Sequence, residues 1–349
     1  MCIVIDIVTG RTILTMSRRV TIADVAAEAG VSVATVSKVI NGRDGIAAST
    51  ASHVQGVVER LGYESSLVAR GMRTQRTHAI GVLVAEFEPF SAEILKGAGA
   101  AVAGTGYAVL AYSDADAGPR GWERRYLSRL GGTLIDGAVL VTPTLDSSPA
   151  TVPVVAVDPH AGPGVLPTVD SDNLVGAMLG VQHLLDLGHR RIAFLGGRPD
   201  LESSVLREAG YVQALLDFGI TPDPALMRGA GYRRDAAEAA TASLLALPDP
   251  PTAVFAANDV SAMGILGAAA RLGVRVPDEL SVVGFDDIPE SATTTPPLTT
   301  VRQEIQQLGA TAVRLLLDQL DGTPGPTRAP HERLPTRLVV RASTAPPPR

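Results

Sequence analysis

The chain has 349 residues, 46% hydrophobic and 19% charged, which excludes wholesale disorder and supplies more chain than one ordinary domain needs. A net charge of −6 argues against a nucleic-acid binder along its whole length. The single cysteine, Cys2, excludes an internal disulfide, a cysteine-zinc cluster and CxxC chemistry, in keeping with a cytoplasmic protein.

The charge is uneven. Residues 16–78 hold eight Arg/Lys against five Asp/Glu, a net of +3, so with −6 overall and one charge of each sign in residues 1–15 the remainder carries −9. A basic head on an acidic body keeps attraction to phosphate local. Residues 1–17 are expected to be a disordered extension. Their apolar run, Cys2 to Ile5, is too short to span a membrane and lacks the basic start of a signal peptide.

Residues 18–63 carry three short helical patterns. Thr21 and Asp24 have the spacing of a capping box, with Ile22, Val25, Ala26 and Ala29 recurring at helical intervals behind it. Gly30 permits a sharp turn, and Ser32 can cap a second helix whose buried side is Val36, Val39 and Ile40. Asn41-Gly42 closes that helix. A third runs from about Ser49 to Leu61, with Val54, Val57, Val58 and Leu61 inward and Gly62 at its end. Two short helices about a tight glycine turn fit a helix-turn-helix, in which the second helix enters the major groove N-terminus first. They also fit a plain three-helix bundle. In the first case Val33 and Ala34 offer methyls to thymine, Thr35 and Ser37 meet phosphate or base edges, and Lys38 reaches a guanine or a phosphate. Residues 64–78, with Arg70, Arg73 and Arg76, read as a basic linker.

From Ala79 short apolar runs alternate with amphipathic ones. Strands are expected at 80–85, 107–111, 137–141, 154–157, 191–195, 253–256 and 280–284; helices at 91–104, 121–130, 173–187, 204–218, 235–246 and 259–272. This rhythm predicts doubly wound parallel sheets, and about 270 residues suggest two similar lobes with the stretch 159–168 crossing between them. Polar residues collect beyond the carboxyl ends of strands, where open α/β sheets bind ligands. They are Asp158, Asn258, Asp259, Asp286 and Asp287, with Glu86 and Phe90 after the first strand and Ser203, Ser204 and Arg207 after the fifth. The set suits a small polar ligand such as a sugar. For Asn258 and Asp259, capping of the next helix is an equal alternative.

The run from Val20 to Gly42, VTIADVAAEAGVSVATVSKVING, closely resembles the head of the LacI (lactose-repressor) family, and Leu61-Gly62-Tyr63 and Ala69-Arg70 extend the match. The body resembles the family at Val169-Asp170-Ser171-Asp172-Asn173, Gly188-His189-Arg190-Arg191-Ile192, Asn258-Asp259, Gly284-Phe285-Asp286-Asp287 and Pro297 to Gln303. The resemblance implies a small all-α helix-turn-helix head plus an α/β periplasmic-binding-protein-like body of two doubly wound parallel-sheet lobes with three crossovers. The first lobe would hold about 79–160 and 290–322, and the second about 163–289 and 325–345. Thr21, Ser32, Asn41 and Tyr63 join the DNA-facing set. In the linker, Ser66, Ala69 and Arg70 line a hinge helix and Met72 stands where a wedge enters the minor groove, beside an unhelpful Gly71. Asn258, Asp286, Arg207 and Asp158 fall at effector positions, with Ser203 and Phe90 beside them. Leu201 stands where purine-sensing members carry Arg, which counts against a purine ligand.

No GxSxG, HExxH or P-loop is present, so no enzyme, metal or cofactor is expected. The expected protein is a cytoplasmic, nucleoid-associated homodimeric repressor of a palindromic operator, controlled by a small effector and free of any membrane. A non-catalytic solute-binding protein with the same body is the rival reading.

Overall fold

The computed structural model of the protein describes residues 4–5, 12–13, 20–40, 44–63, 76–113, 121–145, 152–322 and 329–348. Asn41, Ser66, Ala69, Arg70 and Met72, with most of the expected hinge, lie outside the described residues. The chain divides into two compact units, Met1–Thr74 and Gln75–Arg349.

In the first unit, β1 (Val4–Ile5) and β2 (Thr12–Ile13) pair antiparallel within the stretch expected to be disordered. Among the described residues three helices follow: α1 (Ile22–Ala29), α2 (Val33–Ile40) and α3 (Ala48–Leu61). The Thr21–Asp24 capping box forms in full, with Thr21 N donating to Asp24 Oδ2 at 2.8 Å and Asp24 N to Thr21 Oγ1 at 3.3 Å. Gly30 ends α1 at φ 63°, a left-handed turn that would strain any residue with a Cβ. Val25, Ala26 and Ala29 of α1, Val36 of α2 and Val54 and Val57 of α3 make one small core.

The second unit runs β3 (Ala79–Val84), α4 (Pro89–Ala101), β4 (Ala108–Ser113), α5 (Trp122–Leu130), β5 (Gly137–Val141), β6 (Val154–Val157), β7 (Thr168–Ser171) and α6 (Asn173–Asp186). It continues with β8 (Ile192–Gly196), α7 (Glu202–Asp217), β9 (Met227–Gly229), α8 (Arg234–Leu245), β10 (Ala253–Ala256), α9 (Asp259–Leu272), β11 (Ser281–Asp286) and β12 (Thr299–Arg302). It closes with α10 (Ile305–Leu320), β13 (His331–Leu334) and β14 (Arg337–Val339). Two six-stranded sheets result, ordered β4-β3-β5-β6-β7-β13 and β9-β8-β10-β11-β12-β14. All neighbours are parallel except β12 and β14. Every residue of β3, β5, β6, β10 and β11 is buried, as strands covered on both faces must be.

The lobes divide elsewhere than expected. The three crossovers lie between β7 and α6, between β12 and α10, and between β13 and β14. The expected bounds near 160, 290 and 325 therefore put β7, β12 and β13 in the wrong lobe. The stretch 159–168 is a loop up to Pro167 and enters β7 at Thr168, so it joins two parallel neighbours of one sheet, β6 and β7. The true crossovers are one or two residues long, Asp172, Gln303-Glu304 and Pro335-Thr336; the first two look like ordinary strand-to-helix turns and the third joins two strands, so composition does not mark them.

Candidate functional site

The first candidate surface is α2. Val36, fully buried, points it at α1 and α3, which turns Val33, Ala34 and Lys38 outward, Val33 with 46% of its surface exposed. Thr35 and Ser37 are half-buried at the edge of this face. Ser32 Oγ accepts from Thr35 N at 3.1 Å and so caps the helix, and it lies 2.9 Å from Thr35 Oγ1, which it holds in place. No acid lies in the first turn, leaving the positive end of the helix dipole open to a phosphate. Thr21 is tied up in its capping box, and Tyr63 packs its ring on the head core.

The second candidate is a cleft of about 500 Å³ between the lobes of the body. Phe90, Asp158, Ser203, Arg207, Asn258 and Asp286, the six effector positions expected from sequence, all line it. They come from the carboxyl ends of β6 and β11 and the starts of α4, α7 and α9.

Arg207, 4% exposed, is the centre of the floor. Its Nε donates to Asn173 Oδ1 at 2.9 Å; its Nη1 donates to the Ala257 carbonyl at 2.5 Å and to Asp286 Oδ1 at 3.4 Å. The guanidinium stacks 3.8 Å above the Phe285 ring centroid and lies 5.8 Å from that of Tyr232. Gln303 Nε2 gives Asp286 Oδ1 a second donor at 2.7 Å. Burial pushes the Asp286 carboxyl up to about 7, with Arg207 and Gln303 pulling the other way. Burial also raises Asp158, again opposed by Arg207. Asn258 resolves the two readings of its position by doing one job visibly: its Oδ1 caps α9 through Ser261 N at 2.9 Å while the residue lines the cleft. Asp259 turns away from the cleft, accepting from Thr300 Oγ1 at 2.5 Å and Ile288 N at 3.0 Å. Asp287 clamps Arg302 and Arg341, joining β11 to β12 and the segment beyond β14.

Four cleft residues other than glycine, Thr142, Asp158, Tyr232 and Asp286, have φ of 47°, 49°, 63° and 120°. Each such backbone costs roughly 1–3 kcal/mol, and strain of this kind gathers at ligand sites. Sequence reasoning did not find Thr142, Arg198, Tyr232, Arg233 or Asp235 in this wall, nor the supporting Asn173 and Gln303. Tyr232 follows β9, three residues too short to show a period. Its ring lies flat against Gly197, where a Cβ would stand 2.1 Å from Tyr232 Cζ, and its hydroxyl is buried beside Ser203. Asn173 and Gln303 could have been suspected as polar residues at strand-to-helix junctions that prove to be crossovers. Among the described residues there is no group of acids, histidines or cysteines that could hold a metal, and no helix long and apolar enough to cross a membrane.

Known proteins match both units. The profile described as bacterial regulatory proteins, lacI family, covers residues 21–66, and that of the periplasmic binding protein-like domain covers 181–344. The HTH-type transcriptional repressor CytR of Escherichia coli (strain K12) is 34% identical over 331 residues, 93% of this chain and 96% of that one. The structure of the lac repressor dimer bound to operator and the anti-inducer ONPF aligns over 94% of this chain and 100% of its own, with TM-score 0.80 and 29% identity. A complex of the transcriptional regulator CelR with cellobiose aligns over 93% and 100%, with TM-score 0.69 and 34% identity.

Proposed function

Because the chain belongs to the LacI family of bacterial transcriptional regulators, we propose that it represses transcription as a dimer on palindromic operators, its affinity set by a small polyhydroxylated ligand held in the interlobe cleft. The observation that carries the ligand class is the unspent hydrogen-bonding capacity of the floor. Asp286 Oδ1 is taken by Arg207 and Gln303, and Asn258 Oδ1 by its helix cap. Asp286 Oδ2 remains as an acceptor, and Arg207 Nη2 and Asn258 Nδ2 remain as donors; the Asp158 carboxylate, which already accepts from Ser203 and Asn173, has lone pairs to spare. Alternating donors and acceptors suit adjacent hydroxyls, each of which donates once and accepts once. Bound cellobiose in CelR supports a carbohydrate here. The exposed face of α2, with Lys38 as its single cation, supports base and phosphate contact. Asn41, Ser66, Ala69, Arg70 and the Met72 wedge complete the proposed DNA contacts. Such a protein works in the cytoplasm, on the nucleoid.

A thermal-shift screen of mono- and disaccharides and nucleosides on the full chain tests the ligand class. A ligand at a hundredfold its Kd stabilises by about 2.7 kcal/mol, a shift of roughly 5–10 °C. Stabilisation by nucleosides alone, with every sugar inert, overturns the carbohydrate assignment. Failure to retard any palindromic duplex overturns the repressor.

A further inference from the structure

The cleft floor and the body end of the linker are joined by a continuous set of bonds through one helix. At the linker, Arg76 Nη2 donates to the carbonyl of Leu320 at 2.8 Å and Nη1 lies 3.9 Å from Asp321 Oδ1. Leu320 is the last residue of α10. The next two linker residues are clamped by buried Asp136, whose carboxylate accepts from Thr77 N at 2.6 Å, Thr77 Oγ1 at 2.8 Å and His78 N at 2.9 Å. At the opposite end, α10 springs from the second crossover. Gln303 in that crossover is 4% exposed. It grips Asp286 twice, through Nε2 to Oδ1 at 2.7 Å and through its backbone N to the Asp286 carbonyl at 3.2 Å.

Between these ends α10 has 16 residues, a length of about 24 Å. It meets α4 with its backbone in direct contact. A Cβ on Gly97 of α4 would stand 1.8 Å from the Gln306 carbonyl oxygen, and one on Gly309 of α10 would stand 2.3 Å from the Ile94 carbonyl oxygen. Gln306 Nε2 also donates to Glu93 Oε2 at 2.7 Å. Backbones in direct contact have no rotamers to absorb a displacement, so the two helices move as one piece. The amino end of α4 carries Phe90 and Ser91 into the cleft wall.

We propose that the α4–α10 pair is the lever by which the state of the cleft reaches the linker, with Gln303 and Arg76 as positioning residues at its two ends. This rests on the ligand-controlled repressor reading and adds the route of control. A ligand that draws Asp286 of the second lobe toward Phe90 of the first changes the pull of Gln303 on the amino end of α10. The stiff helix delivers that change to Leu320 and Arg76, where the linker leaves the body.

Coupling is reciprocal, so DNA bound by the full chain must register at the crossover. The probe is the duplex that the full chain enriches from a random-sequence pool. Amide hydrogen exchange is followed with and without it, at duplex concentrations that saturate each variant. In the wild type the duplex is expected to change exchange at residues 286–288 and 303–306 by about fivefold or more. In Arg76→Gln, in Gln303→Ala and in the double variant the change is expected to shrink below about twofold, with the double variant no worse than either single one. Arg76→Lys is expected to restore it in part. Gln303→Ala acts at the far end and reports independently should Arg76→Gln fail to fold. An enriched duplex that leaves the wild-type crossover unchanged overturns the lever alone, as do single variants that respond like wild type or effects that add. A pool that yields no enriched duplex overturns the repressor reading, and the lever with it.

Discussion

Arg207→Leu is the substitution on which the account of the cleft floor depends most. The change removes a buried cation and strands three partners: the Asn173 amide oxygen, the Ala257 carbonyl and the Asp286 carboxylate, which keeps only Gln303. Breaking a buried pair by deleting one member costs about 3–5 kcal/mol, because the partner stays buried and must either hold an uncompensated charge or take up a proton. At roughly 2–4 °C per kcal/mol the full chain should melt about 6–20 °C lower. The loss should also depend on pH, with a definite sign. The folded-state pKa of Asp286 is raised to about 7, so the native state holds a proton that the unfolded state releases near the usual carboxylate value. This group's contribution therefore falls as pH rises toward 7 and levels off above it. Without the guanidinium the carboxyl rises further, so the variant should go on losing stability above pH 7 while this contribution in the wild type is flat. Calorimetric melting of both proteins from pH 6 to pH 9 measures the difference. A melting gap that stays constant over that range, or a total loss under about 1 kcal/mol, refutes the charge pairing assigned to Arg207 and Asp286.

Three further outcomes are expected. Gly197→Ala places a Cβ inside the Tyr232 ring, so the ring must leave the cleft wall; affinity for a sugar that stabilises the wild type should fall about tenfold or more while stability drops by about 1–3 kcal/mol, measured by titration calorimetry and thermal melting. Val36→Ala empties the centre of the head core and should cost that small unit about 1.5–3 kcal/mol; the head's helical signal should melt earlier with the main transition of the body unmoved. Lys38→Ala separates phosphate from base contact. If Lys38 meets phosphate, the slope of log affinity against log salt should fall by about 0.9 per head with sequence preference unchanged, and a relaxed preference at one base pair with an unchanged slope indicates a guanine contact instead.

Much of the molecule was legible in the chain because its signals are local. The capping box at Thr21 and Asp24, the turn at Gly30 and the spacing of Val25, Val36 and Val54 need only nearest neighbours along a helix. The strands 137–141, 154–157 and 253–256 lie as expected because a strand buried on both faces is a short unbroken apolar run whatever surrounds it. The six expected cleft residues were found for a related reason. The carboxyl end of a parallel strand is a position along the chain; Asp286 closes one, and Asp158 and Asn258 stand one and two residues after theirs.

Tertiary structure alone decided the rest. Which lobe receives β7, β12 and β13 depends on partners more than a hundred residues away for β13 and on one or two crossover residues in every case; β13 finds β7 across the register His331 to Thr168. Tyr232 enters the cleft from a loop that no period announces, and it fits only because Gly197 lies opposite it. Asn173 and Gln303 read in the chain as the polar ends of ordinary turns. Their role as struts under Arg207 and Asp286 exists only once two sheets, built from interleaved segments, close around one cleft. Hydrogen bonds between residues 34 and 17 positions apart, in crossovers leading to different lobes, are set by that closure and not by any local spacing.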